Sequence, residues 1–261
     1  MRITSEALAL RRLPYRDASW IVTLLTPEYG VVAGVARSAR RGGRDGARGA
    51  LTGFHALEVE LRSRTTDGLG TLTRAEITTP RNRLPFLAAG AAAAQLLIEA
   101  VHGCVLPGDA GGGVELYDCL NGSLEALDRG FQPLAVVAGG LSRLLGLFGH
   151  GWRAADCVGC GGREGLRYFS VRRGGAVCVT CGAPYARHLP EVGKALLTAL
   201  GERSWPPPLA DLTQGELTLM YRLGMAGLAR SGARPLNTDP MFRRLVGLDE
   251  VEFSGNMRQG G

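Results

Sequence analysis

Through the first eighty residues, apolar and polar side chains alternate in short runs with a period near two, the pattern of half-buried strands. Ile3 to Leu13 reads as a first strand, with Ala7, Leu8 and Leu10 ahead of the basic pair Arg11-Arg12, and Pro14-Tyr15-Arg16-Asp17 makes a turn. Trp20 to Leu25 is a second strand, rich in side chains that suit a pleated core. A turn from Thr26 to Gly30 returns the chain into Val31 to Ala36, where Gly34 is expected to mark a bend or bulge. Leu51 to Leu61 and Gly70 to Thr78 supply two more strands, joined by Arg62 to Gly68. Five short strands with a long loop after the third predict a small antiparallel β-barrel of the OB type, the pattern leaving an SH3-like barrel open.

Between Pro80 and Pro85 the period lengthens to that of a helix. Helices are predicted over Phe86 to Val101, Val114 to Asp128 and Pro133 to Leu147, with a glycine-rich loop from Gly103 to Gly113. Leu141, Leu144, Leu145 and Phe148 are expected to set an apolar face beside the cysteines that follow. Further helices are read at Pro190 to Leu200, from the capping box Thr213/Glu216 through Ala229, and at Asp239 to Leu248. The chain thus divides into a barrel at residues 1–80 and a mainly α-helical domain at 84–252, which carries a four-cysteine zinc ribbon at 153–186. A frayed tail follows at 253–261.

Cys157-Val-Gly-Cys160 and Cys178-Val-Thr-Cys181 are two C-x-x-C knuckles separated by seventeen residues. Four thiolates brought together this way form the closed tetrahedral shell of a structural Zn2+. A glycine follows each knuckle, where a backbone wrapping around a metal needs unusual dihedrals or room for amides facing the sulfurs. The segment between them reads as a hairpin turning near Gly174-Gly175, which folds one knuckle back onto the other. An iron-sulfur cluster and paired disulfides stay open as alternatives. Cys104 and Cys119 have no C-x-x-C partner and read as small buried apolar residues.

Charge is unevenly placed. The formal +6 belongs entirely to residues 1–83, with fourteen arginines against eight acids, and the remainder of the chain is balanced. Five arginines, Arg37, Arg40, Arg41, Arg44 and Arg48, fall in a loop with four glycines and one acid. With Arg11, Arg12 and Arg16 they form a surface suited to nucleic-acid phosphates, with little sequence selectivity expected. Tyr15, Trp20, Tyr29 and Phe54 are the aromatics available for base stacking; Trp20 reads as core, and Tyr15, in its turn, as the exposed candidate.

Hydrophobic content of 45% indicates a folded chain. Charged residues interrupt any leader-like core near Arg2 and Glu6, and Gln95 and Glu99 interrupt the longest apolar stretch, so a cytoplasmic, nucleoid-associated protein without a membrane segment is expected. No phosphate-cradling Walker sequence, zinc-protease histidine pair or serine-nucleophile elbow occurs, and His55, His102, His150 and His188 are isolated. Glu58 and Glu60 share a strand face and read as surface charge. The reading is therefore a noncatalytic binding protein. Its rivals are a metal-dependent DNA-processing enzyme and a zinc-stabilised adaptor for acidic protein partners.

Ala7 to Tyr15, Thr23 to Gly30 leading into Gly34 to Arg37, Phe148 ahead of Cys157-x-x-Cys160-Gly, and Tyr168 to Ser170 before Gly174-Gly175 and Cys178-x-x-Cys181 follow one another in an order and spacing that resembles the RecO family of bacterial recombinational DNA-repair proteins. The resemblance spans essentially the whole chain. It implies an OB domain, a helical domain and a zinc module that bind single- and double-stranded DNA and anneal complementary strands. It implies cooperation with RecR in loading RecA onto strands coated by single-stranded DNA-binding protein (SSB), whose acidic C-terminal tail docks on the helical domain. By that match Arg37, Arg40 and Arg41 fall in the family's basic stretch after the third strand, with arginine where lysine is usual, and Arg44 and Arg48 extend it.

Overall fold

A computed structural model of the chain describes residues 2–37, 47–52, 54–65, 68–105, 113–182, 187–188 and 212–248. The expected helix at 190–200, the proline run at 206–208 and the tail from 253 lie outside the described residues. Strands β1 (Arg2–Tyr15), β2 (Ser19–Thr26), β3 (Gly30–Ala36), β4 (Ala56–Arg62) and β5 (Leu69–Thr79) close in the order β1-β2-β3-β5-β4. β3 and β5 run parallel, and the other neighbours run antiparallel. This closed five-stranded order is that of an OB barrel and settles the choice between barrels. β1 serves two partners, pairing with β4 through Leu8 and with β2 from Leu8 onward. A bulge between Ala9 and Arg11 bends the strand where it changes partner.

Two expectations for the barrel are corrected. Gly34 lies in regular register opposite Val22 and beside Gly70, without a bulge. A Cβ there would stand 2.8 Å from Leu61 Cδ2, so the glycine makes room for a core side chain. The strand expected from Leu51 begins only at Ala56. Before it, a short helix α1 (Ala47–Thr52) inserts Ala50 and Leu51 into the barrel core with Leu57, Val59 and Leu61. Leu51 fits either period in so short a run, and burial in the open barrel end decides it.

A 3-10 turn (Leu84–Phe86) leads into α2 (Ala88–Cys104), α3 (Gly113–Asp128) and α4 (Pro133–Leu147). The cysteine module follows, with β6 (Leu166–Ser170), β7 (Gly175–Cys178), α5 (Val179–Gly182) and β8 (Arg187–His188); then come α6 (Gln214–Arg230) and α7 (Asp239–Leu245). Pro133 occupies the first turn of α4, where its missing N–H costs nothing. α6 opens on the predicted capping box: Thr213 Oγ1 accepts from the Glu216 amide, and Glu216 Oε2 accepts from the Thr213 amide at 2.6 Å. Gly224 and Gly227 let α6 lie close against α4, since a Cβ at either would come within 2.8 Å of Leu141 or Leu145. Leu141, Leu144 and Leu145 therefore belong to the central core and do not line the cysteines as expected.

The barrel and helices share that core. Leu8, Leu10, Leu25, Val31 and Ala56 on the barrel wall pack in one cluster with Leu96, Leu97, Leu120, Leu141 and Met220. Arg81, only 1% exposed, fastens the joint. Its guanidinium donates to Phe54 O at 2.6 Å and to Asn121 O and Oδ1 at 3.2 and 2.5 Å, while its amide donates to His55 Nδ1 at 2.9 Å. Burial lowers the Arg81 pKa. Farther out, Glu99 on α2 holds the lead into α7: Oε1 accepts from Asn237 N and Nδ2, and Oε2 from Thr238 N and Oγ1.

Two outcomes follow from these ties. Arg81→Ala leaves buried carbonyls without donors and is expected to lower stability by about 3 kcal/mol in urea titration. Burial works against the Glu99 charge, but its four donors prevail and set its pKa below the ordinary carboxylate value. A depressed folded pKa gives stability that is present above the unfolded pKa and lost as pH falls through the folded one. The melting temperature of Glu99→Gln should accordingly lie below the parent's at neutral pH and converge with it in acid.

Candidate metal centre and nucleic-acid interface

All four predicted cysteines meet. The Sγ atoms of Cys157, Cys160, Cys178 and Cys181 lie within 4.8 Å of one another, the only such cluster of potential metal ligands among the described residues. Cys157 Sγ accepts hydrogen bonds from the amides of Gly159 and Cys178, both at 3.3 Å. Gly161 has φ of 76°, and a Cβ on Gly182 would meet Tyr168 at 2.6 Å. Gly161 thus takes the unusual dihedral anticipated, whereas Gly182 makes room for the Tyr168 ring and not for amides facing the sulfurs. The hairpin turns at Gly174, whose φ is 80°.

The donor set fits a metal. Cys160 Sγ and Cys178 Sγ stand 3.8 Å apart, far beyond a disulfide bond, and all six cysteines are free thiols. Burial opposes ionisation of Cys157, yet the amides facing its sulfur bring its pKa down to about 6. Cys181, crowded by the Cys178 and Cys160 sulfurs, is pushed up to about 12. Four thiolates this close hold their charge together only around a cation, and Zn2+ suits a closed shell of four sulfurs. Bound there, zinc would hold the two knuckles together and offer no open position for chemistry.

The module has its own small core of Cys157, Leu166, Ala176, Val177 and Cys178. It docks on α6 through Phe169, packed with Trp152, Leu219 and Leu223. Trp152 and Phe169 meet edge to face at 5.2 Å. Arg230, in the last turn of α6, lies 5.0 Å over the Trp152 ring and donates to His150 O at 2.8 Å. His150 thus takes part through its backbone, apart from the thiolates. Cys119 is buried as expected, its thiol pushed up to about 12 by that burial, whereas Cys104, expected to be buried too, is half-buried at the end of α2.

The barrel presents two unlike faces. Outward on β1, β2 and β3 lie Arg11, Leu13 and Tyr15, then Ile21 and Thr23, then Ala33 and Val35, and Arg37 is exposed just past the end of β3. Arg16, at φ of 51°, sets its guanidinium 5.2 Å over the Tyr15 ring. Arg12 turns the other way: Nη1 donates to Leu51 O at the end of α1, 2.8 Å away, and its guanidinium lies 5.6 Å over Trp20. Desolvation lowers its pKa. Arg12 therefore closes the barrel end. Arg40, Arg41 and Arg44 lie outside the described residues, as does the side chain of Arg48.

Trp20 and Tyr29 pack on the barrel core and Phe54 on the helical core, leaving Tyr15 as the aromatic on the β1–β2–β3 face. Beside Arg11 and Thr23, that face carries the aliphatic Leu13, Ile21, Ala33 and Val35. The opposite face is acidic, with Glu6, Glu58 and Glu76 in one cross-strand row. Arg74 pairs with Glu76 at 2.6 Å and lies within 3.9 Å of Glu58 and Glu60, and Arg2 pairs with Glu60 at 2.8 Å. Glu58 and Glu60 are thus surface ion-pair partners, as their spacing suggested. Sequence reasoning missed Arg81, which differs from exposed Arg83 only in its environment, and Arg62 and Arg64, which with Arg2 line an open cleft of about 830 Å³ beside the β4–β5 turn.

These features define an OB barrel fused to a helical body that carries a tetrathiolate metal module. Comparison with known proteins then specifies the kind. Residues 1–81 match the family model for the recombination protein O N terminal and residues 90–237 that for the recombination protein O C terminal. A protein from Anaeromyxobacter sp. (strain K) is 32% identical over 90% of this chain and 84% of its own. One from Exiguobacterium sibiricum is 33% identical over 67% and 68%, and one from Streptomyces coelicolor 33% over 69% and 74%. All three are named DNA repair protein RecO. The chain belongs to the recombination protein O family.

Because metal affinity is part of folding free energy in such modules, Cys157→Ser or Cys178→Ser should abolish bound zinc and lower folded yield together. Elemental analysis alongside circular dichroism checks this, and a fully folded, metal-free variant would contradict the role.

Proposed function

We propose that the chain is a noncatalytic DNA-binding and strand-annealing protein that acts as a recombination mediator in DNA repair. The reading includes cytoplasmic, nucleoid-associated action with RecR, loading RecA onto single strands coated by SSB, whose acidic tail is taken up by the helical domain. The observation that carries it is the alignment, over most of their length, with relatives named for DNA repair. The division of the barrel into a face edged by Arg11, Arg16 and Arg37 and an acidic face of paired glutamates supports it. Residues 1–80 would act as the DNA grip, 84–252 as the protein-docking body and 153–186 as its metal brace.

Physically, arginines on the first face screen the repulsion between two phosphate backbones, and base pairing supplies the favourable free energy. No nucleotide hydrolysis enters. Arg40, Arg41, Arg44 and Arg48 belong to the same grip by sequence. Arg12, exposed although its Nη1 is engaged by the Leu51 carbonyl, belongs to that grip as well.

The aliphatic surface of Leu13, Ile21, Ala33 and Val35 favours a second reading, an adaptor that binds an acidic protein segment there without touching DNA. Annealing of complementary strands, bare and SSB-coated, with ATP omitted and RecR added or withheld, separates the two. Mediation predicts annealing without ATP; protein capture with no annealing supports the adaptor, and divalent-ion-dependent strand scission would indicate an enzyme. Arg11→Ala/Arg37→Ala should reduce the salt slope of single-strand binding by about 1.4, at about 0.7 for each phosphate no longer neutralised. An unchanged slope in this variant would remove those residues from the interface.

A further inference from the structure

We propose that the cysteine module carries a second phosphate-binding surface, formed by Arg163, Arg167 and Arg172, so that one molecule holds two nucleic-acid segments at once. Residues 152–182 contain five arginines and only two acids, a local excess concealed by the charge balance of the remaining chain. Arg153 pairs with Asp156 at 2.6 Å, which leaves Glu164 as the other acid. Arg163, Arg167, Arg172 and Arg173 are exposed, and among the described residues their side chains make no hydrogen bond or ion pair.

The plain alternative is that these arginines answer the charge of the metal centre. Zinc with four thiolates carries a formal charge of about −2. Arg173 is left out of the surface because it lies near the knuckles: a Cβ built on Gly159 would stand 3.3 Å from its Nη1 and 3.1 Å from Cys181 Sγ. The arginine excess is larger than that charge, and Arg172 sits at the hairpin turn while Arg167 projects from the bulge where β6 shifts register against β7. Exposed, unpaired guanidiniums on the hairpin (Arg167, Arg172) and just ahead of it (Arg163) are suited to phosphate oxygens, which they bind by paired charged hydrogen bonds.

The location gives the surface its use. The barrel packs on α2 and α3, the module packs on α6, and α4 lies between them. Three helix layers, α2/α3, α4 and α6, at about 10 Å each separate the basic surfaces by on the order of 30 Å, too far for one short strand to be gripped flat against both. Two strands to be annealed must be held by one particle, and a grip at each end provides that. The second half of the proposal rests on the barrel being a nucleic-acid grip; the module surface does not.

The test uses full-length, zinc-loaded protein and two noncomplementary single strands, one labelled with a donor fluorophore and the other with an acceptor. Energy transfer reports bridging, with light scattering confirming monomers. The parent should bridge the strands. Arg163→Ala/Arg167→Ala/Arg172→Ala should retain its zinc and bind one strand, but lose bridging at least tenfold. Arg172→Ala alone, at the exposed turn, should lose part of it and serves should the triple variant fold poorly. Lysine at the three positions should restore bridging, since charge is kept. Parent protein that saturates with a single strand, or a triple variant that bridges as well as the parent, overturns the second surface and leaves barrel binding untouched. Loss of all strand binding by the parent would defeat the proposed function as well.

Discussion

One buried cation fixes how this molecule is put together. Among the described residues Arg81 has no carboxylate in hydrogen-bond contact; its guanidinium is held by the carbonyl of Phe54, just before β4, and by Asn121 on α3. A charge withdrawn from water is tolerable only where it finds acceptors; Nη1 and Nη2 of Arg81 find theirs on Phe54 and Asn121, while Nε is buried without one among the described residues, so the barrel and helices must keep their register for these bonds to persist. The apolar cluster around it reinforces the constraint, since Leu8, Leu25 and Val31 leave the barrel wall to join the helical core. Barrel, helices and metal module are therefore parts of one packed body.

That rigidity gives meaning to the distribution of charge. The row of Glu6, Glu58 and Glu76 lies on one side of the barrel, with Arg74 paired to Glu58 and Glu76, while Arg11, Arg16 and Arg37 edge the other. The metal centre keeps its knuckles closed and presents a hairpin docked by Phe169 and Arg230. Bound there, zinc would be a fold element that keeps the hairpin in place. No helix among the described residues is long and apolar enough to cross a membrane.

Much of this was legible because the signals were local. Pro133 and the Thr213/Glu216 box marked helix starts, and two C-x-x-C pairs around a glycine turn specified the metal cluster, since each device acts within a few residues. What escaped was tertiary. Leu51 suits strand or helix until the barrel end needs a plug. Arg12 is surface charge as it reads, but its contacts with Trp20 and the α1 carbonyl could not be read from its neighbours in sequence. Arg81 and Arg83 are the same residue two positions apart, and only packing buries one of them. The module's basic surface vanished in a regional sum of zero.

The central claim is that Arg81 and the shared core make barrel and helices open as a unit. Native-state hydrogen exchange measures this directly, read at amides of β4 and α3 on the two sides of Arg81 as denaturant is raised below the unfolding transition. The account predicts that both sets merge into one opening free energy equal to that of global unfolding. Barrel amides that exchange through a separate, lower-energy opening while α3 stays protected would contradict it.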